Sequence, residues 1–158
     1  MSLVLCRIDD RLIHGQVVIG WGRPLGVTLI VLVDDQVAAS PWEQELYRMA
    51  VPSEIRVEFA GVADAAAHLA GWATTHERVL VLTGDIPTMI ALHAARADLL
   101  RRINLGGIHH RPGRLERLRY LYLTEAELTA LKALAASGAE VTAQDLPTAA
   151  PVRLESLG

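Results

Sequence analysis

The sequence lacks several features that would indicate special environments or partners. Among 158 residues there is one cysteine, Cys6, so no internal disulfide can form, and the residue is expected to be a small buried hydrophobe. No run of about 18 apolar residues occurs, so no ordinary transmembrane helix is predicted. The formal net charge is −3, opposite in sign to the basic surplus that nucleic-acid binding needs. These absences favour a globular protein of the cytoplasm that binds no nucleic acid.

The composition is sufficient for one folded domain. Apolar residues make up 51% of the chain and charged residues 21%, which is typical of a globular protein with a substantial core. The apolar stretch at residues 3–5 is followed so soon by Arg7 and Asp9 that a secretory signal is not expected. No repeat, low-complexity tract or linker is present. We therefore predict a single domain over residues 1–158.

Short runs rich in β-branched residues and leucine alternate with longer helical patterns. Such runs are typical of strands buried on both faces, as in parallel sheets. The predicted strands are residues 3–8, 27–33, 56–59, 79–82, 120–123 and 141–143, and two of the predicted helices are residues 63–74 and 87–95. The alternation predicts an α/β protein with an open, mostly parallel twisted sheet and helices on both faces.

Capping boxes predict where two further helices begin. Ser40-Pro41-Trp42-Glu43 combines a serine cap with proline at the first helical position, and predicts a helix to about Met49. Thr124-Glu125-Ala126-Glu127 begins another helix, which Gly138 is predicted to end. On the first of these helices, Trp42 and Tyr47 are expected to pack in the core or at its rim.

The loop after the first predicted strand has a composition suited to binding phosphate. His14 stands where a helical pattern begins, and a neutral imidazole is a competent nucleophile near physiological pH. A guanidinium such as that of Arg11 matches phosphate oxygens bidentately, and Gly15 allows the backbone to approach a ligand. The start of a helix adds unpaired N–H groups. The loop is also expected at the carboxyl edge of the sheet, where such folds bind ligands. These features predict that His14 carries a phosphoryl group.

This loop resembles a known family signature. Arg7-Ile8-Asp9-Asp10-Arg11-Leu12-Ile13-His14-Gly15-Gln16-Val17 is similar to the phosphorylation site of IIB subunits in the mannose/fructose/sorbose family of bacterial sugar phosphotransferase systems. The likeness continues along the chain. Residues 33–38 resemble the family's second strand with its acidic turn, and residues 49–52 resemble the end of its second helix. Residues 103–109 resemble its Asn-x-Gly turn after a late strand. The likeness departs at residues 39–42, where the family often has polar residues.

The resemblance implies a phosphoryl relay. A IIA subunit would donate the group to Nδ1 of His14, and His14 would pass it to a sugar held by the IIC and IID permease subunits. Arg11 would steady the phosphoryl group, with Arg7 and Gly15 as further phosphate-binding residues, while Asp9 would orient Arg11 or the imidazole. No cofactor and no metal ion are expected. The expected location is the cytoplasm, with peripheral attachment to the membrane through the permease.

Plainer interpretations of several polar residues stay open. Arg7 is also suited to a structural ion pair with Asp9 or Asp10, and Asp10 to a salt bridge or a turn. His109 and His110 lie adjacent on an extended segment, so their side chains should point opposite ways, and a partner-facing surface is favoured over a metal site.

Other segments were assigned packing or connecting roles. Leu12, Ile13 and Trp21 are predicted to form part of an apolar rim for the donor protein. Residues 20–26 lack the glycine spacing of a dinucleotide loop and are predicted to end a helix. Residues 151–158 are predicted to be either a loose tail or an edge strand.

The sequence leaves alternatives for function as well. The chain could accept phosphate on His14 as a regulatory sensor in an incomplete system without sugar transport. It could also be an α/β binding module that has kept the fold without being phosphorylated, although His14, Arg11 and Gly15 together argue against that. The identity of the sugar and the oligomeric state, self-association included, stay open.

Overall fold

A seven-stranded sheet forms the centre of the computed structural model, which describes residues 2–158, so that Met1 of the predicted domain lies outside the described residues. The strands are, in chain order, β1 (Leu3–Ile8), β2 (Leu29–Val33), β3 (Arg56–Ala60), β4 (Val79–Thr83), β5 (Arg102–Leu105), β6 (Leu115–Leu118), β7 (Leu121–Leu123), β8 (Glu140–Ala143) and β9 (Val152–Arg153). Their order in the sheet is β3-β2-β4-β1-β5-β8-β9. All neighbours pair in parallel except β8 and β9, which are antiparallel.

Helices connect these strands. They are a π-helix (Gln16–Gly22), α1 (Asp35–Ala38), α2 (Pro41–Met49), α3 (Val62–Thr74), α4 (Ile86–Ala95), α5 (Glu125–Ala136) and a C-terminal 3-10 helix (Leu154–Leu157). Every residue of β2 and β4 is buried, as their uniformly apolar sequences predict. Among the described residues, no helix is both long and apolar enough to cross a bilayer.

Alternate residues of the central strands enter two cores, one on each face of the sheet. Val31 of β2 packs in the core under α3, α4 and α5, whereas its neighbours Ile30 and Leu32 pack in the core under the π-helix and α1. This alternation follows from the period of two along a strand. The predicted α/β fold, with a mostly parallel sheet covered by helices on both faces, is therefore confirmed.

Two sequence predictions need correction, and one strand was missed. Residues 120–123 are not a strand of the main sheet, because β7 pairs antiparallel with β6 in a separate hairpin. The pairing is set by a tight turn between Leu118 and Leu121, which the apolar pattern alone did not indicate. Strand β5 was not predicted, although three of its four residues are buried. Ser40 precedes α2 but its side chain makes no capping hydrogen bond, so that capping box is wrong, while Pro41 does begin the helix.

Other local predictions are confirmed. Thr124 and Glu127 form the reciprocal capping box of α5, and Gly138 follows this helix with a φ of +115°, which favours glycine. Of the two alternatives for residues 151–158, the edge strand is correct for Val152–Arg153, where β9 pairs with β8, while Leu154–Leu157 form a 3-10 helix that neither alternative predicted.

Candidate active site

The loop that contains His14 lies at the carboxyl edge of the sheet, where β1 and β5 are neighbours. The chain leaves β1 towards β2 on one side, and it leaves β5 towards β8 on the other. A reversal of this kind opens a crevice between two adjacent loops, and ligands of open α/β sheets bind there. Here the crevice is formed by the loop after Ile8 and the loop after Leu105.

The Asp9 carboxylate is the centre of this site. Its side chain is fully buried and lies 3.2 Å from Nη2 of Arg7. Arg11 contacts it bidentately, with Nε 2.9 Å from Oδ1 and Nη2 2.9 Å from Oδ2. Burial alone would raise the pKa of Asp9, but the hydrogen bonds from Arg11 and the charges of both arginines hold it below its usual value. Asp9 is therefore a charged anchor shared by two cations.

Arg7 occupies the closed side of Asp9. Its side chain is fully buried, and Nη1 donates to the side-chain oxygen of Asn104 and to the carbonyl of Gln144 at 2.8 Å. Its guanidinium carbon lies 4.8 Å from the centre of the Trp21 ring. Burial lowers the pKa of Arg7, and the charge of Asp9 opposes that effect. The structural ion pair anticipated for Arg7 is present, whereas direct contact with phosphate stays a prediction.

Arg11 occupies the open side of the same carboxylate. Its side chain is 37% exposed, so the guanidinium is accessible to a ligand. Nη1 donates to Oε1 of Gln16 at 2.7 Å, which holds the outer end of the group. The hydrogen bonds to Asp9 raise the pKa of Arg11, so it stays charged. With three donor hydrogens engaged, the guanidinium keeps two for a ligand.

His14 lies on the Asp9 side of the crevice, with its ring partly exposed to solvent. The side chain is 19% exposed, and Nε2 lies 3.6 Å from Oδ2 of Asp9. Nε2 is enclosed and has no hydrogen-bond partner among the described residues. Nδ1 accepts from the backbone N–H of Val17 at 3.3 Å, which makes Nδ1 the unprotonated nitrogen of the neutral ring. Burial and the charges of Arg11 and Arg7 lower the pKa of His14, while Asp9 opposes them. These effects favour the neutral form of the ring.

The backbone around His14 is unusual in two respects. Leu12 has a φ of +60°, the left-handed region that few non-glycine residues adopt, and such strain concentrates at functional loops. The helix predicted after His14 is a π-helix, a type that occurs often at functional sites. Gly15 has an ordinary helical conformation, and a Cβ added there would meet no atom within 4 Å. The space beside Gly15 is therefore open to a ligand.

Two glycines after β5 make room for the arginines. A Cβ on Gly106 would lie 2.6 Å from Oδ2 of Asp9, and a Cβ on Gly107 would lie 3.0 Å from Nε of Arg11. Only glycine permits this close approach. The family likeness at residues 103–109 includes this turn, and its pair of adjacent glycines was the signal for a close approach.

The segment after β8 also reaches the site, and sequence reasoning missed it. Nε2 of Gln16 donates to Oδ1 of Asp145 at 3.0 Å, and Nε1 of Trp21 donates to the Asp145 carbonyl at 2.9 Å. Gln16 thus connects Arg11 to Asp145. These partners are separated by 129 residues in the chain, so no local pattern indicated the contact.

The predicted apolar rim is largely wrong. Ile13 is only 5% exposed, because it packs in the core beneath the π-helix. Trp21 is only 4% exposed, with its ring against the Arg7 guanidinium and its Nε1 bonded to the Asp145 carbonyl. Leu12 is half-buried. Asp10 contacts His109 twice: Oδ1 lies 2.8 Å from Nδ1 of the ring, and Oδ2 accepts from the backbone N–H at 2.9 Å. The ring of His110 packs edge-on against Tyr122.

Comparison with known proteins assigns the chain to a family. The family model described as "PTS system sorbose subfamily IIB component" matches residues 3–157. The N-acetylgalactosamine-specific phosphotransferase enzyme IIB component 1 of Escherichia coli is 30% identical over 149 residues, which are 92% of this chain and 92% of that protein. The sorbose-specific EIIB component of Klebsiella pneumoniae is 30% identical over 137 residues, covering 85% of this chain and 81% of that protein.

Solved structures agree with this assignment. The manxB protein of Thermoanaerobacter tengcongensis superposes with a TM-score of 0.86 at 30% identity, over 98% of this chain and 93% of that one. The crystal structure of the Escherichia coli N-acetylgalactosamine-specific IIB component 1 gives a TM-score of 0.87 at 28% identity, over 96% of this chain and 98% of that one. The chain therefore belongs to the sorbose subfamily of IIB components, and is a component of the sugar phosphotransferase system.

Proposed function

We propose that His14 accepts a phosphoryl group from a phosphohistidine of a IIA subunit and passes it to a sugar held by the IIC and IID permease subunits. The observation that carries this proposal is the arrangement around Asp9. A neutral, partly exposed imidazole lies near a guanidinium that has two N–H donors left for a ligand. Enclosure of Nε2 leaves Nδ1 as the nitrogen with a lone pair to offer. The extent of the functional domain, residues 1–158, is part of the proposal.

In the first step, Nδ1 of His14 gives up the hydrogen bond that it accepts from the Val17 N–H, and its freed lone pair attacks the phosphorus of the donor phosphohistidine. A new N–P bond forms as the donor's N–P bond breaks, and the donor imidazole keeps the electron pair of the broken bond. The transition state for such a transfer is loose, so positioning and charge stabilisation dominate its cost. Arg11 would bind the equatorial oxygens, and Gly15 would leave space for them. Because both N–P bonds are of the same kind, the step should be nearly isoenergetic and reversible.

In the second step, a sugar hydroxyl attacks the phosphorus on His14. The O–P bond forms as the bond to Nδ1 breaks, Nδ1 recovers its lone pair, and the hydroxyl proton passes to a base or to water. Nε2 lies 3.6 Å from Oδ2 of Asp9 in the free protein, so the carboxylate would stabilise the cationic character of the phosphorylated ring. This makes the chain a protein-Nπ-phosphohistidine–sugar phosphotransferase component acting at the cytoplasmic face of the membrane.

The names of related proteins support the partner assignment. One relative is the mannose-specific EIIAB component of Escherichia coli, of which this chain covers 48% at 29% identity. Its printed name joins a IIA and a IIB activity in one protein. A IIA activity is therefore the natural phosphoryl donor for this chain.

Phosphoryl labelling tests the proposal directly. Phospho-IIA should add one phosphoryl group to the peptide that contains His14, and the group should be acid-labile. His14→Ala should abolish the label, because the acceptor nitrogen is lost. His68→Ala is the matched control, since His68 is exposed on α3 and bonds only to its own helix at the Asp64 carbonyl. Label that survives His14→Ala, or no label on the wild type with a complete relay, would overturn the proposal.

A further inference from the structure

The outward face of α2 is an exposed apolar surface that the site chemistry does not use. Among residues 2–158 the large hydrophobic side chains that are exposed are Ile19, Trp42, Leu46, Met49 and Leu115. Three of these lie on α2: Trp42 at 67% exposure, Leu46 at 53% and Met49 at 79%. Their spacing of four and three residues places them on one side of the helix. We call these three residues the α2 stripe.

The opposite side of α2 is held against the protein, so the stripe cannot turn inward. Nε2 of Gln44 donates to the carbonyls of Val37 and Ala38 at 3.0 and 3.1 Å. The Tyr47 ring packs at 6.4 Å from the Phe59 ring. No residue of α2 is buried, which is unusual for a helix at the surface of a sheet protein. The expectation that Trp42 packs in the core is therefore wrong, and a helix with this pattern is typical of one that docks a partner.

The segment that carries the stripe is strongly acidic. Residues 34–58 contain six carboxylates and only two arginines, whereas the whole chain has a net charge of −3. Both arginines are already engaged, because Arg48 pairs with Glu45 at 3.3 Å and Arg56 pairs with Glu77. Glu43 and Glu54 form no ion pair among the described residues. The surface around the stripe therefore presents uncompensated negative charge.

This charge decides between the surfaces that could cover the stripe. A bilayer with anionic lipids would be repelled, and a second copy of the chain would bring two acidic surfaces together. A surface with an apolar cleft bordered by lysine and arginine fits. Cytoplasmic loops of polytopic membrane proteins have that composition, since they carry an excess of both residues.

We propose that the α2 stripe and its acidic border dock the protein onto the cytoplasmic face of the permease. The inference rests on the proposed function, because a protein that meets two partners in turn needs one surface that stays bound while His14 faces the sugar. The topology permits this. α2 follows α1 at the carboxyl edge of β2, which is also the edge of the His14 loop, and it leads back towards the start of β3.

The test uses the full chain and inverted membrane vesicles that contain the IIC and IID subunits of its own system. Co-sedimentation gives the half-saturating concentration without any phosphoryl transfer, and labelling by phospho-IIA is measured separately. The triple variant Trp42→Gln, Leu46→Gln, Met49→Gln should raise that concentration at least about tenfold, since exposed aromatic and apolar anchors dominate such interfaces. Its labelling on His14 should stay within about twofold of the wild type, as for ordinary surface changes.

Two further variants control the experiment. Leu115→Gln removes an exposed apolar residue from the separate hairpin, and should leave vesicle binding unchanged. Glu43→Lys reverses one free charge at the stripe, and should weaken binding more at low salt than at high salt. Equal urea midpoints for all variants would show that folding is unaffected.

Several results would overturn the inference. One is wild-type binding that does not depend on IIC and IID, or that occurs equally with vesicles of phosphatidylglycerol alone. Another is triple-variant binding within about twofold of the wild type, which is the range of ordinary surface changes. A third is a loss of labelling by phospho-IIA in parallel with the loss of vesicle binding. A wild-type dimer in sedimentation that Leu46→Gln dissociates would instead assign the stripe to a second copy. Failure of the proposed function looks different, because His14 would then remain unlabelled while vesicle binding could still be measured.

Discussion

Arg7 and Arg11 contact the same carboxylate from opposite sides, and the two sides have different properties. On the closed side, Arg7 is fully buried and surrounded by Asn104, Trp21 and backbone carbonyls. On the open side, Arg11 is 37% exposed and held only by Asp9 and Gln16. One residue type in one loop therefore meets two environments, one that encloses a structural ion pair and one that is open to a ligand. Burial, not the sequence spacing, distinguishes the two arginines.

The largest effect is expected when the shared carboxylate is removed. Asp9→Asn leaves the buried Arg7 charge without its partner, and should lower the free energy of unfolding by about 3–5 kcal/mol. Urea unfolding of the purified variant measures this loss. Asp10→Asn is the matched control, because its partner His109 is 65% exposed, and it should cost less than about 1 kcal/mol. Equal losses for the two variants would contradict the anchoring role of Asp9.

Replacing Arg7 or Arg11 by lysine should have different effects on phosphoryl acceptance and on stability. Arg11→Lys keeps the charge but loses the bidentate geometry, so phosphoryl acceptance by His14 should fall about 100-fold with a stability loss under roughly 1 kcal/mol. Arg7→Lys should show the reverse, with a stability loss of about 2–4 kcal/mol and a smaller change in acceptance by the folded fraction. Rates come from rapid-quench labelling with phospho-IIA, and stabilities from urea unfolding. If Arg7→Lys lowers acceptance as much as Arg11→Lys does, Arg7 contacts the phosphoryl group after all.

The stability of the protein should also be sensitive to volume added on the closed side of Asp9, where Arg7 lies. Gly106→Ala places a Cβ 2.6 Å from Oδ2 of Asp9, and should cost about 1–3 kcal/mol of unfolding free energy. Gly71→Ala is the matched control, since a Cβ at this exposed position in α3 would meet nothing within 4 Å. Removing glycine from the interior of that helix should stabilise the protein by about 0.5–1 kcal/mol. A Gly106→Ala variant as stable as the wild type would show that the two loops can separate without cost.

Features that depend on residues close together in the chain could be predicted from the sequence, whereas contacts between distant segments could not. Strand β1, the loop with His14 and the capping box of α5 depend on residues close together in the chain, and each was predicted in place. The contact of Gln16 with Asp145 depends on the meeting of the loop after β1 with the segment after β8, 129 residues away in the chain, which no local pattern encodes. Trp21 was placed at a rim because its type suits a rim. Its burial follows from the π-helix lying on the sheet, a tertiary effect.

Phosphoryl acceptance by His14 should depend on pH, in a direction set by the burial and the neighbouring charges of its ring. Burial and the charges of Arg11 and Arg7 lower the pKa of His14 from its usual value of 6.5, so acceptance should fall as the pH drops through that lowered pKa and should level off well above it. The stability that the neutral ring contributes follows the same course: it is present above pH 6.5 and is lost as the pH falls through the folded-state pKa.

Arg11→Gln sharpens this test, because removing a neighbouring positive charge must move the midpoint of His14 to higher pH. Titration of the His14 ring protons by NMR measures both midpoints, with exposed His68 as an internal reference. The shift should be modest, since Arg7 remains and Asp9 keeps its charge. A midpoint that falls in Arg11→Gln would mean that the guanidinium acts on the ring mainly by holding Asp9 close to it, and not through its own charge.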